Sequence, residues 1–210
     1  MAKILYLKAS PRGSLSHSCA VADAFVEAYR AKNPRDEIVT MDLFAKDLMP
    51  FDGFAVQAKY TVMHGASPTA EEKAAWGAVE KYVAEFKAAD AYVFAVPMWN
   101  FGVPYRLKQY LDILMQPGLT FSFTTAEGYK GLVTGKRAFV AYARGGEFAA
   151  GTPAEAYDLQ KKYLELALGF MGITDVRSVI IEPTLARGPE VAKEKQTLAV
   201  TQAREFAITF

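Results

Sequence analysis

The chain lacks the compositional marks of several large classes of protein. A single cysteine, Cys19, excludes an internal disulfide framework and fits a cytoplasmic protein. The 24 basic residues nearly balance the 23 acidic ones, so we expect no general affinity for nucleic acid or for an anionic membrane. The two histidines, His17 and His64, have no identifiable carboxylate partners, and we therefore predict no metal site.

Long apolar runs are also missing. No segment approaches the roughly 18 consecutive apolar residues of a membrane span. The short apolar stretch at the N-terminus is interrupted by Lys8 and Arg12, unlike a signal peptide. With 210 residues, 51% of them hydrophobic, the chain is long enough to bury a core and short enough to form one domain, which we expect to span residues 1–210.

Short apolar runs that alternate with helical patterns predict the fold class. Four runs without in/out alternation predict parallel strands covered on both faces, and a fifth, weaker run predicts an edge strand. These runs are Ile4–Leu7, Ala91–Val96, Ala138–Ala143, Val176–Ile181 and, at the edge, Ile38–Met41. Apolar residues recur at helical spacing in four stripes between them: Val21, Phe25 and Tyr29; Trp76, Val79, Val83 and Phe86; Leu107, Leu111 and Leu114; and Leu159, Tyr163, Leu166 and Phe170. The pattern indicates an α/β protein with a doubly wound, five-stranded parallel sheet and helices on both faces.

Local signals predict several helix ends and two irregular segments. Capping patterns occur at Thr69 with Glu72 and at Thr152-Pro153 with Glu155 for helix starts, and at Gly118 and Gly172 for helix ends. The aromatic and glycine residues of Phe121–Leu132 predict an added hairpin. The connection over residues 45–68 is long, which favours a functional or interface role.

In an open α/β sheet, ligands bind outside the carboxyl ends of the strands, where the strand order reverses. The first loop that this rule selects is Ser10–Ser18, which carries four serines. Hydroxyls, main-chain N–H groups and the positive end of a helix dipole together favour a single terminal phosphate. The Walker and GxGxxG patterns of other nucleotide sites are absent. A serine-rich turn that only caps the helix is the alternative, and the loop alone does not decide between them.

The second and third loops follow the next two central strands. Pro97–Pro104 contains two aromatic residues and an amide, which suit a flat heteroaromatic ring that also meets main-chain N–H groups. A hydrophobic turn with Trp99 in the core is the alternative. In Ala143–Gly146, two glycines allow a ligand to approach main-chain N–H groups closely, although a Gly-Gly pair is by itself usually only a loop.

Five segments together resemble the FMN-dependent NADH azoreductases, relatives of the NAD(P)H:quinone reductases with a flavodoxin-like fold. The segments are Ser10–Arg12, Pro97–Phe101, Gly131–Lys136, Arg144–Gly146 and Gly169–Asp175, so the resemblance covers nearly the whole chain. It implies an enzyme that binds FMN without a covalent link and passes two electrons from NADH or NADPH to a quinone or azo compound in a ping-pong order. It also implies a homodimer whose active sites are shared between the subunits.

The same resemblance implies the residues of the site. Ser10, Ser16, His17 and Ser18 would hold the FMN phosphate, Met98, Trp99, Asn100 and Phe101 would line the isoalloxazine ring, and Ala143, Arg144, Gly145 and Gly146 would contact its pyrimidine side. Phe123 would line the substrate pocket. Phe170 would approach the partner's flavin, although its helical spacing from Leu159 favours a core position. No catalytic side-chain base is expected, because the chemistry belongs to the flavin. Relatives often have Gln where this chain has His17, so we expect protonation of the imidazole to affect FMN retention.

Two other functions stay open at this point. An electron carrier of the flavodoxin type would use the same fold without NADH turnover, but such carriers are usually strongly acidic, unlike this near-neutral chain. A phosphate-binding module without flavin would leave the aromatic loop Met98–Phe101 without a use. Cys19, at a helix start, is either a reactive thiol or, as we prefer, a small buried hydrophobic residue.

Overall fold

Strands and helices alternate along the chain as predicted. The computed structural model describes all 210 residues. Its strands are β1 (Lys3–Lys8), β2 (Glu37–Asp42), β3 (Ala91–Pro97), β4 (Phe121–Thr124), β5 (Gly128–Gly131), β6 (Arg137–Ala143) and β7 (Asp175–Ile181). Its α-helices are α1 (His17–Lys32), α2 (Gly53–Met63), α3 (Ala70–Lys87), α4 (Tyr105–Leu114), α5 (Leu159–Met171) and α6 (Gly188–Ile208). No helix has both the length and the apolar composition that crossing a membrane requires.

Five strands form one parallel sheet in the order β2-β1-β3-β6-β7, and β4 pairs with β5 in a separate antiparallel hairpin. The chain passes from β1 outward to the edge strand β2 and returns to β3 on the other side of β1, so the strand order reverses between β1 and β3. The predicted fold class, with its edge strand and its added hairpin, is confirmed.

The sheet separates two hydrophobic cores, because successive residues of a strand face opposite sides. Leu5 and Leu7 of β1 pack with α3, α4 and α5, whereas Ile4 and Tyr6 pack with α1 and α6. All but one residue of β3 and all but one of β6 are buried. Burial on both faces explains why these strands have continuous apolar runs instead of alternating ones.

Three of the four predicted helical stripes are buried, in α1, α3 and α4. The stripe from Leu159 to Phe170 on α5 is wrong as a core face, because its members are exposed or half-buried. The core contacts of α5 come from another side of the helix, formed by Leu164, Ala167, Leu168 and Met171. Since α5 has two apolar faces, its periodicity alone cannot identify the one that packs on the sheet.

Two of the four predicted helix ends are confirmed. The Thr69 hydroxyl accepts a hydrogen bond from the main-chain N–H of Glu72, whose carboxylate accepts one from the N–H of Thr69, which completes the capping box of α3. Gly172 closes α5 with a φ of 107°, a conformation that favours glycine.

The other two predicted ends are wrong. Thr152-Pro153 starts only a 3₁₀ turn, because the Thr152 hydroxyl donates to the carbonyl of Ala149 and caps nothing. The α-helix begins later, at Leu159, where Asp158 supplies the cap. Gly118 does not follow α4 directly; its N–H donates to the carbonyl of Phe121 in the turn that leads into the hairpin.

Sequence analysis did not identify two helices. α2 lies inside the long connection 45–68 and packs mainly through alanines, Ala55 and Ala58. α6 also presents alanines to the core, at positions 192, 199, 203 and 207. Small side chains give a weak periodic signal, because the pattern that marks a buried helix face depends on large apolar residues.

Two glycines fix the hairpin against the end of α5. A Cβ atom on Gly131 would stand 2.3 Å from the main-chain nitrogen of Gly172, so neither segment tolerates a side chain at Gly131 without moving apart. The N–H of Val133 donates to the carbonyl of Met171 beside this contact (2.8 Å). The segments 131–136 and 169–175, which contributed separately to the resemblance, thus form one packed contact.

Candidate functional site

The three predicted loops meet at the carboxyl edge of the sheet. Lys8 of β1 pairs with Ala95 of β3, and Pro97 of β3 pairs with Ala143 of β6. The loops that follow these strands are therefore neighbours, and the serine loop borders the point where the strand order reverses. Ligands of doubly wound sheets bind at this place.

The serine loop presents several hydrogen-bonding groups at the start of α1. The hydroxyl of Ser16 accepts a hydrogen bond from the N–H of Cys19 (3.3 Å) and lies 3.1 Å from the hydroxyl of Ser18. The N–H groups of His17 and Ser18 make no hydrogen bond within the protein, as expected in the first turn of a helix. Ser10, at the start of this loop, is also buried, and its hydroxyl accepts a hydrogen bond from the N–H of Arg12 (3.4 Å). The loop therefore caps α1 and, in addition, offers unpaired donors to an anion.

His17 has a partner that its sequence neighbourhood did not indicate. Its Nδ1 donates to the Oε1 of Gln196 on α6 (2.6 Å), which leaves Nε2 without a protein partner. In the neutral ring of this tautomer, Nε2 is an acceptor, so the ring donates to an anion only when it is protonated. The predicted effect of His17 on FMN retention stays a prediction.

The loop after β3 is a strained turn with unpaired N–H groups. Trp99 and Gly102 exchange two main-chain hydrogen bonds of 3.0 Å, which closes the turn over Asn100 and Phe101. These two residues have φ values of 47° and 71°, a conformation that costs non-glycine residues of order 1 kcal/mol and is concentrated at functional sites. Their N–H groups make no hydrogen bond within the protein.

The aromatic residues of this turn face outward. Trp99 is 37% exposed and Phe101 48% exposed, so the alternative that places Trp99 in the core is wrong. Phe44 packs against Trp99 at a centroid distance of 5.6 Å, and Tyr157 packs against Phe101 at 5.4 Å. Sequence analysis missed both supporting rings. Phe44 follows the edge strand β2 closely, and this position is the sequence feature that could have placed it at the site.

The loop after β6 also carries unpaired donors. The N–H groups of Gly145 and Gly146 make no hydrogen bond within the protein, while the carbonyl of Gly145 accepts from the N–H groups of Leu185 and Ala186. Neither glycine has a positive φ, and a Cβ on Gly146 would meet only the ring of Phe148, at 3.4 Å. The fold itself does not require glycine at position 146, so the predicted reason, the close approach of a ligand, stays a prediction.

Arg144 is already bonded within the protein. Its guanidinium is buried and contacts Asp158 (2.6 Å), Glu182 (3.2 Å) and Gln160 (3.0 Å). Its main-chain N–H donates to Ile181, and its carbonyl accepts two hydrogen bonds from Thr184. The structure therefore does not favour a polar contact between Arg144 and a ligand, although the resemblance implied one. Ala143 and Met98 are joined by a main-chain hydrogen bond of 2.7 Å that links the two loops.

Phe123 and Phe170 are brought together, but away from the three loops. Tyr129 of the hairpin lies between them, with centroid distances of 4.8 Å to Phe123 and 5.2 Å to Phe170. The opposite end of α5 touches the site, because the N–H of Leu159 donates to the carbonyl of Phe101 (3.1 Å). Phe170 lies eleven positions after Leu159 on the helix, a rise of about 16 Å. Phe170 is half-buried under the hairpin and is not a core residue.

The thiol of Cys19 is buried, and this burial raises its pKa. A protonated, enclosed thiol is unreactive. The structure therefore supports the interpretation of Cys19 as a small buried hydrophobic residue.

Comparisons with known proteins agree with this architecture. The family model of the flavodoxin-like fold matches residues 2–206. The chain belongs to this flavodoxin-like family. An FMN-dependent NADH:quinone oxidoreductase of Nitratidesulfovibrio vulgaris is 56% identical over 210 residues, with 100% of both chains covered. The resemblance inferred from the five sequence segments is confirmed.

Solved structures give the same result for this flavodoxin-like chain. The azoreductase of Bacillus anthracis strain Sterne has a TM-score of 0.91 and 32% identity, and all of both chains is covered. An FMN-dependent NADH-azoreductase of Bacillus anthracis strain Ames Ancestor, solved in complex with FMN, has a TM-score of 0.86 and 28% identity, covering 99% of this chain and 100% of the other.

Proposed function

We propose that this protein is a cytoplasmic FMN-dependent NADH:quinone oxidoreductase that also reduces azo compounds. One observation of the structure carries the proposal. Two neighbouring loops present unpaired main-chain N–H groups, at Asn100 and Phe101 and at Gly145 and Gly146, beside exposed aromatic rings. Main-chain donors beside aromatic surface are what a flat, hydrogen-bonding heterocycle requires. The full-length relative at 56% identity, which is named for this activity, supports the same assignment.

The residues present fit FMN. Ser10, Ser16 and Ser18, with the unpaired N–H groups at the start of α1, would hold the phosphate. The serine loop and the loop after β6 follow strands that are two strand spacings apart, about 10 Å, and the loop after β3 lies between them. When bound, FMN would supply the redox chemistry, which is hydride acceptance from NADH and two-electron reduction of the quinone or azo compound in a ping-pong order.

The protein contributes position and electrostatics. The N–H groups of Gly145 and Gly146 would donate to the pyrimidine edge of the ring, and those of Asn100 and Phe101 to the adjoining edge. Donors on a fixed backbone stabilise developing negative charge without reorganising, which is why no side-chain base is needed. Trp99 and Phe101 are exposed, so NADH and then the quinone or azo compound could stack at the same open surface.

The apolar stripe of α5 supports a homodimer. Leu166 is 70% exposed, and Leu159, Tyr163 and Val103 line a groove of about 500 Å³ beside it. Continuous exposed apolar surface of this kind is typical of an interface between protein chains. A two-fold interface joins the same patch of both subunits; with the two-fold axis perpendicular to α5, the two α5 helices would cross antiparallel.

Antiparallel packing of α5 explains the position of Phe123 and Phe170. Within one chain Phe170 lies about 16 Å along α5 from Leu159, the residue that contacts the flavin loops, and Phe123 is grouped with Phe170 through Tyr129. In an antiparallel pair, the Phe170 end of one helix lies beside the Leu159 end of the other, which contacts Phe101. The two rings would then complete the substrate pocket of the partner. Exposed residues of α2, such as Phe54 and Tyr60, make the segment 45–68 a second candidate part of this interface.

A visible spectrum followed by reduction tests the activity. We expect the purified protein to be yellow, to bleach when NADH is added without oxygen, and to recover its colour with a quinone. Bound FMN that NADH does not bleach would favour an electron carrier instead. A colourless protein that does not take up FMN would contradict the proposal.

The assignment of the N–H groups of Gly145 and Gly146 to the flavin ring is tested by Gly146→Val. The new side chain would occupy the face of the loop assigned to the ring, and its Cβ would meet only the ring of Phe148, at 3.4 Å, so FMN affinity should fall at least tenfold with little change in the urea unfolding midpoint. Gly77→Ala, at an exposed position of helix α3, is the matched control and should bind FMN normally. Unchanged FMN affinity in Gly146→Val would refute the assignment of this loop.

The homodimer is tested by Leu166→Glu. A buried carboxylate at the interface is costly, so we expect a shift to monomer in sedimentation and a loss of quinone turnover, with FMN binding mostly retained. Leu198→Glu places the same charge on α6, at another exposed leucine, and should leave the dimer intact. A Leu166→Glu protein that stays dimeric would exclude α5 as the interface.

A further inference from the structure

We infer that Arg144 is a positioning residue that fixes the loop after β3 and the loop after β6 relative to each other, an inference that rests on the proposed FMN site. Arg144 is the residue between β6 and Gly145, and it is 2% exposed. Its side chain gives no polar group to the flavin surface. It acts instead on the loops, through a buried network that reaches both of them.

The network begins with three contacts of the guanidinium. The Nη2 atom donates to Asp158 (2.6 Å), Nη1 donates to Glu182 (3.2 Å), and Nε donates to the Oε1 of Gln160 (3.0 Å). The planar guanidinium has donors in fixed directions, so the start of α5, with Asp158 and Gln160, and the end of β7, with Glu182, become fixed relative to each other. A flexible lysine ammonium cannot reproduce this geometry.

Each of the three acceptors is in turn bonded to the site's framework. The Nε2 of Gln160 donates to the carbonyl of Val96 (2.9 Å), at the end of the strand that leads into Met98–Phe101. Asp158 caps α5 by accepting from the N–H of Lys161 (3.0 Å), and the first residue of that helix donates to the carbonyl of Phe101.

The third branch returns to the glycine loop. Glu182 accepts from the N–H of Phe148 (3.1 Å), two residues after Gly146. Arg144 itself adjoins Gly145 in the chain. One guanidinium therefore links the loop after β3 to the loop after β6. It reaches the first loop through Gln160 and Asp158, and the second through Glu182.

Stability alone is a poor explanation for this network. A buried ion pair gives back in Coulomb attraction about what its desolvation costs, and well-packed apolar residues often replace such groups without loss. Arg144, Asp158 and Glu182 together place one positive and two negative charges where little solvent reaches them. A directional network is useful where the relative position of two loops has to be exact, and the proposed ring site has that requirement.

Two substitutions separate positioning from folding. Gln160→Met, of similar length, removes the link to Val96 and leaves both ion pairs of Arg144 in place. Arg144→Lys keeps the charge but cannot reach three acceptors. Arg187→Met is the matched control, because it removes an exposed ion pair with Glu147 in the same loop region (2.7 Å). Far-UV circular dichroism and urea unfolding report whether each variant is folded.

The readouts are the dissociation constant of FMN and the midpoint potential of the bound flavin. We expect both variants to bind oxidised FMN about tenfold more weakly and reduced FMN about a hundredfold more weakly, since misplaced N–H groups lose most against the more negative form. The extra factor of ten corresponds to a midpoint potential about 30 mV lower for a two-electron couple. Arg187→Met should match the wild type in both quantities.

The outcomes are distinct. Folded Gln160→Met and Arg144→Lys proteins with the wild-type potential and affinity would overturn the inference and leave the proposed function intact. Loss of stability with an unchanged potential would assign the network a purely structural role, which also overturns it. A wild-type protein that does not bind FMN would overturn the proposed function, and the inference with it. If Arg144→Lys does not fold, Gln160→Met alone decides.

Discussion

Replacing Gly131 by alanine should weaken the attachment of the hairpin to α5. The added Cβ would lie 2.3 Å from the nitrogen of Gly172 and 2.5 Å from the carbonyl carbon of Met171, whereas ordinary contacts begin near 3.4 Å. Both neighbours are main-chain atoms, which cannot rotate away as a side chain would. The two segments therefore have to separate by about 1 Å, the difference between those distances.

The cost follows from what that separation breaks. Overpacking of this kind costs about 1–3 kcal/mol. The hydrogen bond from the N–H of Val133 to the carbonyl of Met171 is 2.8 Å long; stretching it costs about 1 kcal/mol more. We expect the free energy of unfolding to fall by about 2–4 kcal/mol, well above the error of a denaturation experiment but less than the total stability of most domains.

Urea unfolding followed by circular dichroism measures this difference directly. Gly169→Ala is the matched control, since it lies on the same helix, has no atom within 4 Å of the new Cβ, and has no positive φ. It should stabilise the protein by up to about 1 kcal/mol, because alanine favours the helix. If the free energy of unfolding of Gly131→Ala lies within about 1 kcal/mol of the wild-type value, the two segments are not packed as described.

Two further predictions concern single side chains. The hydroxyl of Tyr142 is buried without a hydrogen-bond partner, and burial raises its pKa well above the ordinary value. Tyr142→Phe should therefore leave the free energy of unfolding unchanged or raise it by about 1 kcal/mol. A clear loss of stability in urea unfolding would indicate an unrecognised partner. Asp36 accepts hydrogen bonds from the N–H of Ala2 and the hydroxyl of Tyr29, which lower its pKa below 3.8. Its contribution to stability is then present above pH 3.8 and is lost as the pH falls through the lowered value. The stability difference between wild type and Asp36→Asn should be largest near neutral pH and shrink in acid; a difference that grows in acid would contradict this sign.

Local sequence patterns are enough to predict the sheet and the loops at its edge. Strands buried on both faces produce apolar runs, and those runs marked all five strands of the parallel sheet. The serine loop, Met98–Phe101 and Ala143–Gly146 follow three of these strands, and a rule of topology sufficed to bring them together. These features depend on residues that are neighbours in the chain, so local patterns reveal them.

The contacts between side chains of distant segments, in contrast, follow only from the folded chain. Arg144 looked like a ligand residue from its place in a motif, yet it binds Asp158 and Glu182, which lie 14 and 38 positions away. The apolar stripe of α5 looked like a core face, yet the sheet packs against the other apolar side of that helix. In both cases the local pattern fits two environments equally well. Which one is realised depends on the elements that pack nearby, and packing is a property of the folded chain, not of the segment.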